Sequence, residues 1–342
     1  MLTILADDLT GALDCAAPFA GRGLRTWVAL GLDAVESALE AKPAVLSVNL
    51  ATREVAPRSA AEITRSVISR LPRHAVLFKK VDSRLKGNIA AELDATPYHK
   101  AVVAPAIPKF GRVVRNGRVE GFGVQTPIDV AAALGVHANL AFIPDTVTQD
   151  DMFDVLNEVR DRGVDLYIGA RGLAEALAEQ QTGRQDARLV SPPAGPGVFV
   201  IGSRDPITLA QIDALRQAQE LTYLAAPNGM VELSGSAAHS VTLVQATAAR
   251  LEASPVSVSD RLAAGVVPSL SENAATLVLS GGATAEAVLK AMNIATFELL
   301  GECLPGLGLA YVNGQCIIAK SGGFGTPETL VQLASAMAGT RG

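Results

Sequence analysis

Short uninterrupted apolar runs punctuate this chain, and longer amphipathic stretches separate them. The runs Leu2–Ala6, Arg25–Leu30, Ala44–Val48, Ala75–Lys79, Ala101–Ala104, Leu140–Ile143 and Asp165–Gly169 have strand length. Continuous rather than alternating apolar character suits strands that are covered on both faces. Between them, Gly11–Arg22, Ser59–Arg70 and Gln149–Arg162 carry helical periodicity. Strand and helix in alternation predict a parallel sheet joined by right-handed crossovers.

The rhythm breaks at residues 182–197, where Ser191-Pro192-Pro193-Ala194-Gly195-Pro196-Gly197 has the composition of a linker. It resumes with a strand at Val198–Ile201, a helix from Pro206 to about Gln219 and a strand at Thr276–Leu279. Leu309–Val312 and Gln315–Ala319 flank Asn313-Gly314, a strong hairpin signal. The expected fold class is therefore α/β, with two three-layer α/β domains, mostly parallel sheets and a cleft between them. The expected domains are residues 1–181 and 198–342, with 182–197 as linker.

Composition excludes several functions. Hydrophobic residues make up 49% of the 342 and charged residues 18%, enough to bury two cores and too apolar for general disorder. A formal charge of −5 and 4% aromatics argue against nucleic acid as a partner. Cys15, Cys303 and Cys316 form no C-x-x-C pair, which fits a reducing compartment and indicates neither zinc nor a disulfide framework. No apolar run is long enough to span a membrane, and Met1–Ala6 leads straight into Asp7-Asp8, unlike a signal peptide. The expected location is the cytoplasm.

In open α/β sheets ligands bind beyond the carboxyl ends of the strands. Asp7-Asp8-Leu9-Thr10-Gly11-Ala12 follows the first strand. Paired carboxylates there can bind sugar hydroxyls or act as a base, and one of them can instead cap the following helix. Lys79-Lys80-Val81-Asp82-Ser83-Arg84-Leu85-Lys86-Gly87-Asn88 follows the fourth strand and has the makings of a carboxylate and phosphate site. Its bland reading is a solvated loop with a helix cap. Ala104–Arg112 follows the fifth strand, where two prolines fix the backbone and Lys109 and Arg112 could face one cleft.

Three glycine loops mark the C-terminal half: Gly202-Ser203-Arg204-Asp205, Ser280-Gly281-Gly282-Ala283-Thr284 and Lys320-Ser321-Gly322-Gly323-Phe324-Gly325. Each follows a predicted strand and precedes a predicted helix. Glycine lets the backbone approach a phosphate, and a helix N-terminus offers free N–H groups. None is a Walker A or a dinucleotide fingerprint. His74, His99, His137 and His239 are scattered and read as surface or packing residues.

These blocks together resemble the four-carbon acid sugar kinase family. Asp7–Ala12 matches its D-D-L-T-G-A opening, and Lys79–Asn88 is similar to its K-K-I-D-S-T-L-R-G-N. Ala104–Arg112, Gly202-Ser203-Arg204, Gly281–Thr284 and Lys320–Gly325 resemble A-P-A-F-P-E-N-G-R, G-S-R-S, G-G-D-T and K-S-G-G-F-G. Asn49, Ala51, Ala283 and Lys109-Phe110 depart from the family pattern, and Gly117–Ile128 is shorter than in relatives. These departures bear on substrate identity and nucleotide affinity.

The resemblance implies an ATP-dependent phosphotransferase that phosphorylates the 4-hydroxyl of threonate, erythronate or 3-oxo-tetronate, with Mg²⁺. The implied sugar-acid residues are Asp7, Asp8, Arg53, Lys80, Val81, Asp82, Ser83, Arg84 and Arg112. The implied nucleotide residues are Ser203, Gly281, Gly282, Ala283, Thr284, Gly322 and Gly323. No metal ligand is assigned. On this reading Arg53 and the Lys79–Arg84 cluster hold the substrate carboxylate. Asp8 first, and Asp82 second, orients or deprotonates the attacking hydroxyl, and the first domain's strand tips look across a gap at the glycine loops. A non-catalytic sensor that binds sugar acid and nucleotide is the alternative. A nicotinamide-dependent dehydrogenase shares the fold class but lacks the glycine fingerprint. The expected partners are a small sugar acid and ATP, with no nucleic acid and no membrane. The residues do not reveal the oligomeric state, and a homodimer is compatible with them.

Overall fold

A computed structural model describes residues 1–233, 239–251 and 253–339. The chain divides into two units, Met1–Arg188 and Leu189–Gly342. Both are α/β, with mostly parallel sheets and helices packed against them.

In the first unit the elements are β1 (Leu2–Ala6), α1 (Leu9–Gly21), β2 (Thr26–Leu30), α2 (Val35–Glu40), β3 (Val45–Asn49), α3 (Pro57–Ser69), β4 (Val76–Lys80), α4 (Ile89–Asp94) and β5 (Ala101–Ala104). They continue with β6 (Arg112–Arg115), β7 (Arg118–Gly121), β8 (Ile128–Asp129), α5 (Val130–Leu134), β9 (Ala141–Phe142), α6 (Gln149–Val159), β10 (Leu166–Gly169) and α7 (Arg171–Thr182). The main sheet runs β2-β3-β1-β4-β10-β5-β9, with parallel pairing throughout. β6, β7 and β8 form a separate three-stranded antiparallel sheet.

Every residue of β1, β3 and β5 is buried, which is why their sequences are apolar without alternation. The chain leaves β1 toward β2 and leaves β4 toward β5, on opposite sides in the strand order. β1 and β4 are neighbours, so the ends of these two strands form the switch point where a ligand crevice is expected. α1 is buried along nearly its whole length and packs on β1, β2 and β3. Its small residues Gly11, Ala12, Ala16 and Ala17 allow that close packing. After α7 the chain is fastened back onto α1. Arg22 donates to the carbonyls of Arg184 at 2.8 Å and Gln185 at 2.6 Å, and Arg184 donates to Arg22 O at 2.7 Å.

In the second unit the elements are β11 (Gly197–Ile201), α8 (Pro206–Ala218), β12 (Thr222–Pro227), β13 (Val241–Thr247), α9 (Pro255–Val266), β14 (Thr276–Ser280), α10 (Gly282–Ala291), β15 (Thr296–Leu304), β16 (Leu307–Val312), β17 (Gln315–Lys320) and α11 (Thr329–Met337). The strand order is β12-β13-β11-β14-β17-β16-β15. Pairing is parallel from β12 to β17 and antiparallel for β17–β16 and β16–β15. The hairpin turns at Asn313 (φ 51°) and Gly314 (φ 82°), the two positive φ values a tight two-residue turn requires. Phe199, Ile201, Leu243, Val278, Leu309, Ile318 and Leu333 belong to its core. β11 and β14 are adjacent and their connections diverge, giving this unit a switch point of its own.

Candidate active site

Beyond β1 and β4, ionic side chains from four segments meet. Asp8 is the N-cap of α1: its Oδ1 accepts from Gly11 N at 2.7 Å, and its Oδ2 accepts from Thr10 Oγ1 at 3.1 Å. Capping therefore accounts for one aspartate of the pair. Asp7 is buried and takes Arg53 as a fork, with Nε to Oδ2 at 2.7 Å and Nη2 to Oδ1 at 2.9 Å. Arg53 Nη1 also reaches Asp8 Oδ2 at 2.6 Å, and Nη2 lies 3.8 Å from Asp82 Oδ2.

The charges follow from these contacts. Burial alone would raise the pKa of Asp7, but the hydrogen bonds and charge of Arg53, with Lys80 and Lys79 behind them, hold it below the usual carboxylate range. Burial works against the Arg53 cation, and Asp8, Asp7 and Asp82 outweigh it, so the guanidinium is held still more firmly protonated.

Lys79 and Lys80 are consecutive in β4 and so face opposite sides of the sheet. Lys79 is fully buried and pairs with Glu92 of α4, Nζ to Oε2 at 2.7 Å. Glu92 also accepts from the hydroxyl of Thr52. Lys80 lies on the α1 side, where a Cβ added to Gly11 would sit 2.8 Å from its Nζ. Burial opposes the Lys80 cation, but the Cys15 sulfur and the Asp7 and Asp8 carboxylates outweigh it and raise its pKa. At neutral pH the carboxylates carry that effect, because burial pushes the Cys15 thiol far up and keeps it uncharged. Among the described residues Lys80 Nζ has no hydrogen bond and no carboxylate at ion-pair distance.

The loop after β4 is held from several directions. Asp82 Oδ1 accepts from Arg84 N at 2.8 Å, an Asx-type turn. Arg112 Nη1 donates to Ser83 Oγ at 2.5 Å, and its Nε donates to Phe122 O at 3.0 Å. Burial and the nearby Arg84 cation lower the pKa of Arg112 against the pull of Asp82. Val81 is buried, and its N–H donates to Gly169 O at 2.9 Å. Gly87 has φ 94°, and a Cβ there would lie 2.8 Å from Asp7 Oδ2. Asn88 Nδ2 ties Thr52 O and Val55 O, both at 2.8 Å. Lys109 does not join Arg112: it pairs with Glu175 of α7 at 2.6 Å.

In the second unit the three glycine loops meet beyond β11, β14 and β17, which are adjacent strands. A Cβ on Gly202 would fall 2.0 Å from Thr284 Oγ1, and one on Gly322 would fall 2.1 Å from Ser203 Oγ. One on Gly281 would approach Ser203 N at 3.5 Å. At Gly202 and Gly322 a side chain would collide with the neighbouring loop, and at Gly281 the φ of 105° favours glycine. Gly281 is the N-cap of α10 and brings no capping side chain, so the first-turn N–H groups of that helix stay available. α8, by contrast, is capped by Asp205, whose Oδ1 accepts from Ile207 N at 2.9 Å.

Ser203, Gly281, Gly282, Ala283, Thr284, Gly322 and Gly323 therefore gather in one place in the second unit. Asp7, Asp8, Arg53, Lys80, Asp82, Ser83, Arg84 and Arg112 gather in the first. Thr208 and Gln211 carry no sequence motif, and Lys320 is marked in the sequence only as the first residue of the last glycine loop. The carbonyls of the last glycine loop rest on them: Thr208 Oγ1 donates to Gly322 O at 2.7 Å and Gln211 Nε2 to Phe324 O at 2.9 Å. The i, i+3 spacing of Thr208 and Gln211 on a predicted helix was the available signal.

Among the described residues no three His, Cys, Asp or Glu side chains form a metal cage. No helix among them is long and apolar enough to cross a membrane.

Two family models match the chain, a sugar-binding N-terminal domain over residues 2–129 and a nucleotide-binding C-terminal domain over residues 230–330. A D-threonate kinase of Bordetella bronchiseptica is 30% identical over 407 residues, covering 98% of this chain and 96% of its own. A D-threonate kinase of Cupriavidus necator is 27% identical, covering 99% and 98%. A 3-oxo-tetronate kinase of Pseudomonas fluorescens is 26% identical, covering 99% and 97%. A solved Haemophilus influenzae protein shares the fold at TM-score 0.68 and 17% identity, covering 98% of this chain and 100% of its own.

Proposed function

This chain belongs to the four-carbon acid sugar kinase family, and from that premise we propose that it transfers the γ-phosphate of ATP to the terminal 4-hydroxyl of a four-carbon sugar acid. It is a phosphotransferase with an alcohol group as acceptor; donor, acceptor and residue roles are the proposal. The acceptor is D-threonate or a close tetronate, bound in the first unit. ATP binds in the second unit. The reaction runs in the cytoplasm, where ATP is held.

The observation that carries this reading is the ammonium of Lys80, which has no ion-pair partner among the described residues and lies beside a carboxylate cluster. Arg53 is already engaged by Asp7 and Asp8, so Lys80 and the half-buried Arg84 are the cations best suited to receive a substrate carboxylate. Hydroxyl groups need acceptors, and Asp82 supplies one. Its Oδ1 is taken by Arg84 N, while its Oδ2 has only the 3.8 Å approach of Arg53. Both oxygens of Asp8 are committed to Gly11, Thr10 and Arg53. This favours Asp82 over Asp8 for orienting the attacking hydroxyl and taking its proton.

Phosphoryl transfer asks for alignment and charge neutralisation more than covalent chemistry. The N–H groups at the start of α10 and on the Gly322-Gly323 loop suit phosphate oxygens. Mg²⁺ neutralises phosphate charge in such reactions and is commonly held by phosphates, water and one or two carboxylates. Asp205, whose Oδ2 would lie 3.4 Å from a Cβ on Gly323, is a carboxylate beside that loop. The site fits a metal that arrives on the nucleotide.

A coupled assay for ADP release with D-threonate, L-threonate, D-erythronate and L-erythronate tests the proposal. Turnover with at least one of them is expected. Tight binding of these acids and ATP with no ADP formed would replace the kinase with the sensor.

A further inference from the structure

The last residue of β17, Lys320, is fully buried and has no carboxylate at ion-pair distance among the described residues. Its three ammonium protons are spent on oxygen atoms: Ser321 O at 2.8 Å, Thr208 Oγ1 at 3.2 Å and Gly322 O at 3.4 Å. The Thr208 hydroxyl in turn donates to Gly322 O at 2.7 Å. Gln211 Nε2 holds Phe324 O and Thr326 O, both at 2.9 Å. Four carbonyls of residues 321–326 are thus turned toward α8 and Lys320. In a trans peptide the C=O and the following N–H point in opposite directions. Turning the Ser321 and Gly322 carbonyls inward therefore turns the N–H groups of Gly322 and Gly323 outward.

We propose that Lys320 is the positioning residue of this phosphate loop and that its proton is linked to nucleotide binding. It fixes the two peptide planes whose N–H groups meet phosphate, and the phosphate charge stabilises the buried ammonium in return. The inference rests on the nucleotide reading of the second unit given above.

The electrostatics agree with that geometry. Burial pushes Lys320 down to about 8, opposed only in part by Asp205 at the α8 N-cap. The other groups around it are neutral: Thr208 and Gln211 from α8, Ser280 on β14 and Leu307 on β16. A phosphate anion across the loop favours the charged lysine, so a bound nucleotide raises this pKa. By linkage, nucleotide affinity is highest below the free-state pKa and falls as pH rises through it.

The test is calorimetric titration of the full-length protein with ADP and magnesium near pH 8, where Lys320 titrates, in two buffers of different ionisation enthalpy. Uptake of a fraction of a proton per ADP is expected, with an affinity loss of several-fold, at most about tenfold per pH unit, above that pH. Lys320→Met is expected to raise the KM for ATP about tenfold, leave the KM for the sugar acid unchanged and abolish the proton uptake. The uptake measurement uses the unaltered protein, so it stands even where the variant does not fold. ADP binding with no proton uptake and equal affinity at about pH 7 and about pH 9 would overturn the linkage. Failure of ADP to bind at any pH would instead remove the nucleotide reading, and this inference with it.

Discussion

Lys79 and Lys80 are neighbours in β4 with opposite fates: Lys79 Nζ lies 2.7 Å from Glu92 Oε2 in a fully buried pair, while Lys80 Nζ has no such partner among the described residues. The two-residue period of a strand sends one lysine to the packing on the α4 face and the other to the crevice under α1. Chemically identical residues thus take structural and functional roles through register alone.

Lys79→Met is expected to destabilise the protein by about 3–5 kcal/mol, because Glu92 is left as an uncompensated buried charge. Urea unfolding measures this. Lys79→Met combined with Glu92→Gln should recover part of the loss. Lys80→Met should lower stability less than Lys79→Met, since Arg53 still neutralises Asp7 and Asp8, and raise the KM for the sugar acid. A large fall in stability with an unaltered KM would reverse these roles.

Gly11→Ala inserts a Cβ 2.5 Å from Asp8 Oδ1 and 2.8 Å from Lys80 Nζ. Both groups must move, so sugar-acid affinity should fall while ATP affinity holds. Unchanged steady-state constants would show that neither displaced group matters to the substrate.

Asp7 ties stability to acid. Its folded pKa is held below the usual range by Arg53, so its contribution is fully present above the unfolded value and is lost as pH falls through the lower folded value. Asp7→Asn should be less stable than the natural protein at neutral pH, with the gap closing in strong acid. Thermal melts across the acid range measure it, and a gap of constant size would contradict the assignment.

Asp82→Asn should lower kcat by about two orders of magnitude or more, the scale of a lost general base, with the KM for ATP little changed. Asp8→Asn keeps a capping acceptor but loses the carboxylate that faces Arg53, so it should show up mainly as lost stability. If Asp8→Asn instead loses most of its kcat at full stability, Asp8 is the base.

Much of the fold can be read from the residues. β1 and β5 coincide with their apolar runs, and the hairpin at Asn313-Gly314 lies where the turn signal stands. β2, β3 and β4 begin one residue later than their runs, because strand ends follow the register with neighbouring strands rather than composition. The β6–β7 hairpin is harder to read. Asn116 and Gly117 carry the same positive-φ turn, but the flanking Arg112–Arg115 and Arg118–Gly121 are short and charged, so no apolar pattern singles them out. β12 is mostly exposed or half-buried, and β15 contains Glu298 and Glu302 and breaks register twice.

The candidate site shows a similar division. Strand-end positions identify Asp7, Asp8 and the Lys79–Asn88 loop, because ligands collect there in any open sheet. Partner choice is not local. Glu92 satisfies Lys79 from a later helix, and Arg53 is consumed by Asp7 and Asp8 across two strands. Lys320 looks like an ordinary lysine until its three acceptors are seen.

The central claim is that phosphate moves from ATP to the terminal hydroxyl of a four-carbon sugar acid. Proton-coupled phosphorus NMR of the products from ATP and D-threonate tests it most directly. The expected products are ADP and a phosphomonoester whose signal is a triplet, split by the two protons of the terminal carbon. A doublet would place the phosphate on a secondary hydroxyl, and ADP with inorganic phosphate alone, or unconsumed ATP, would contradict transfer to this acid.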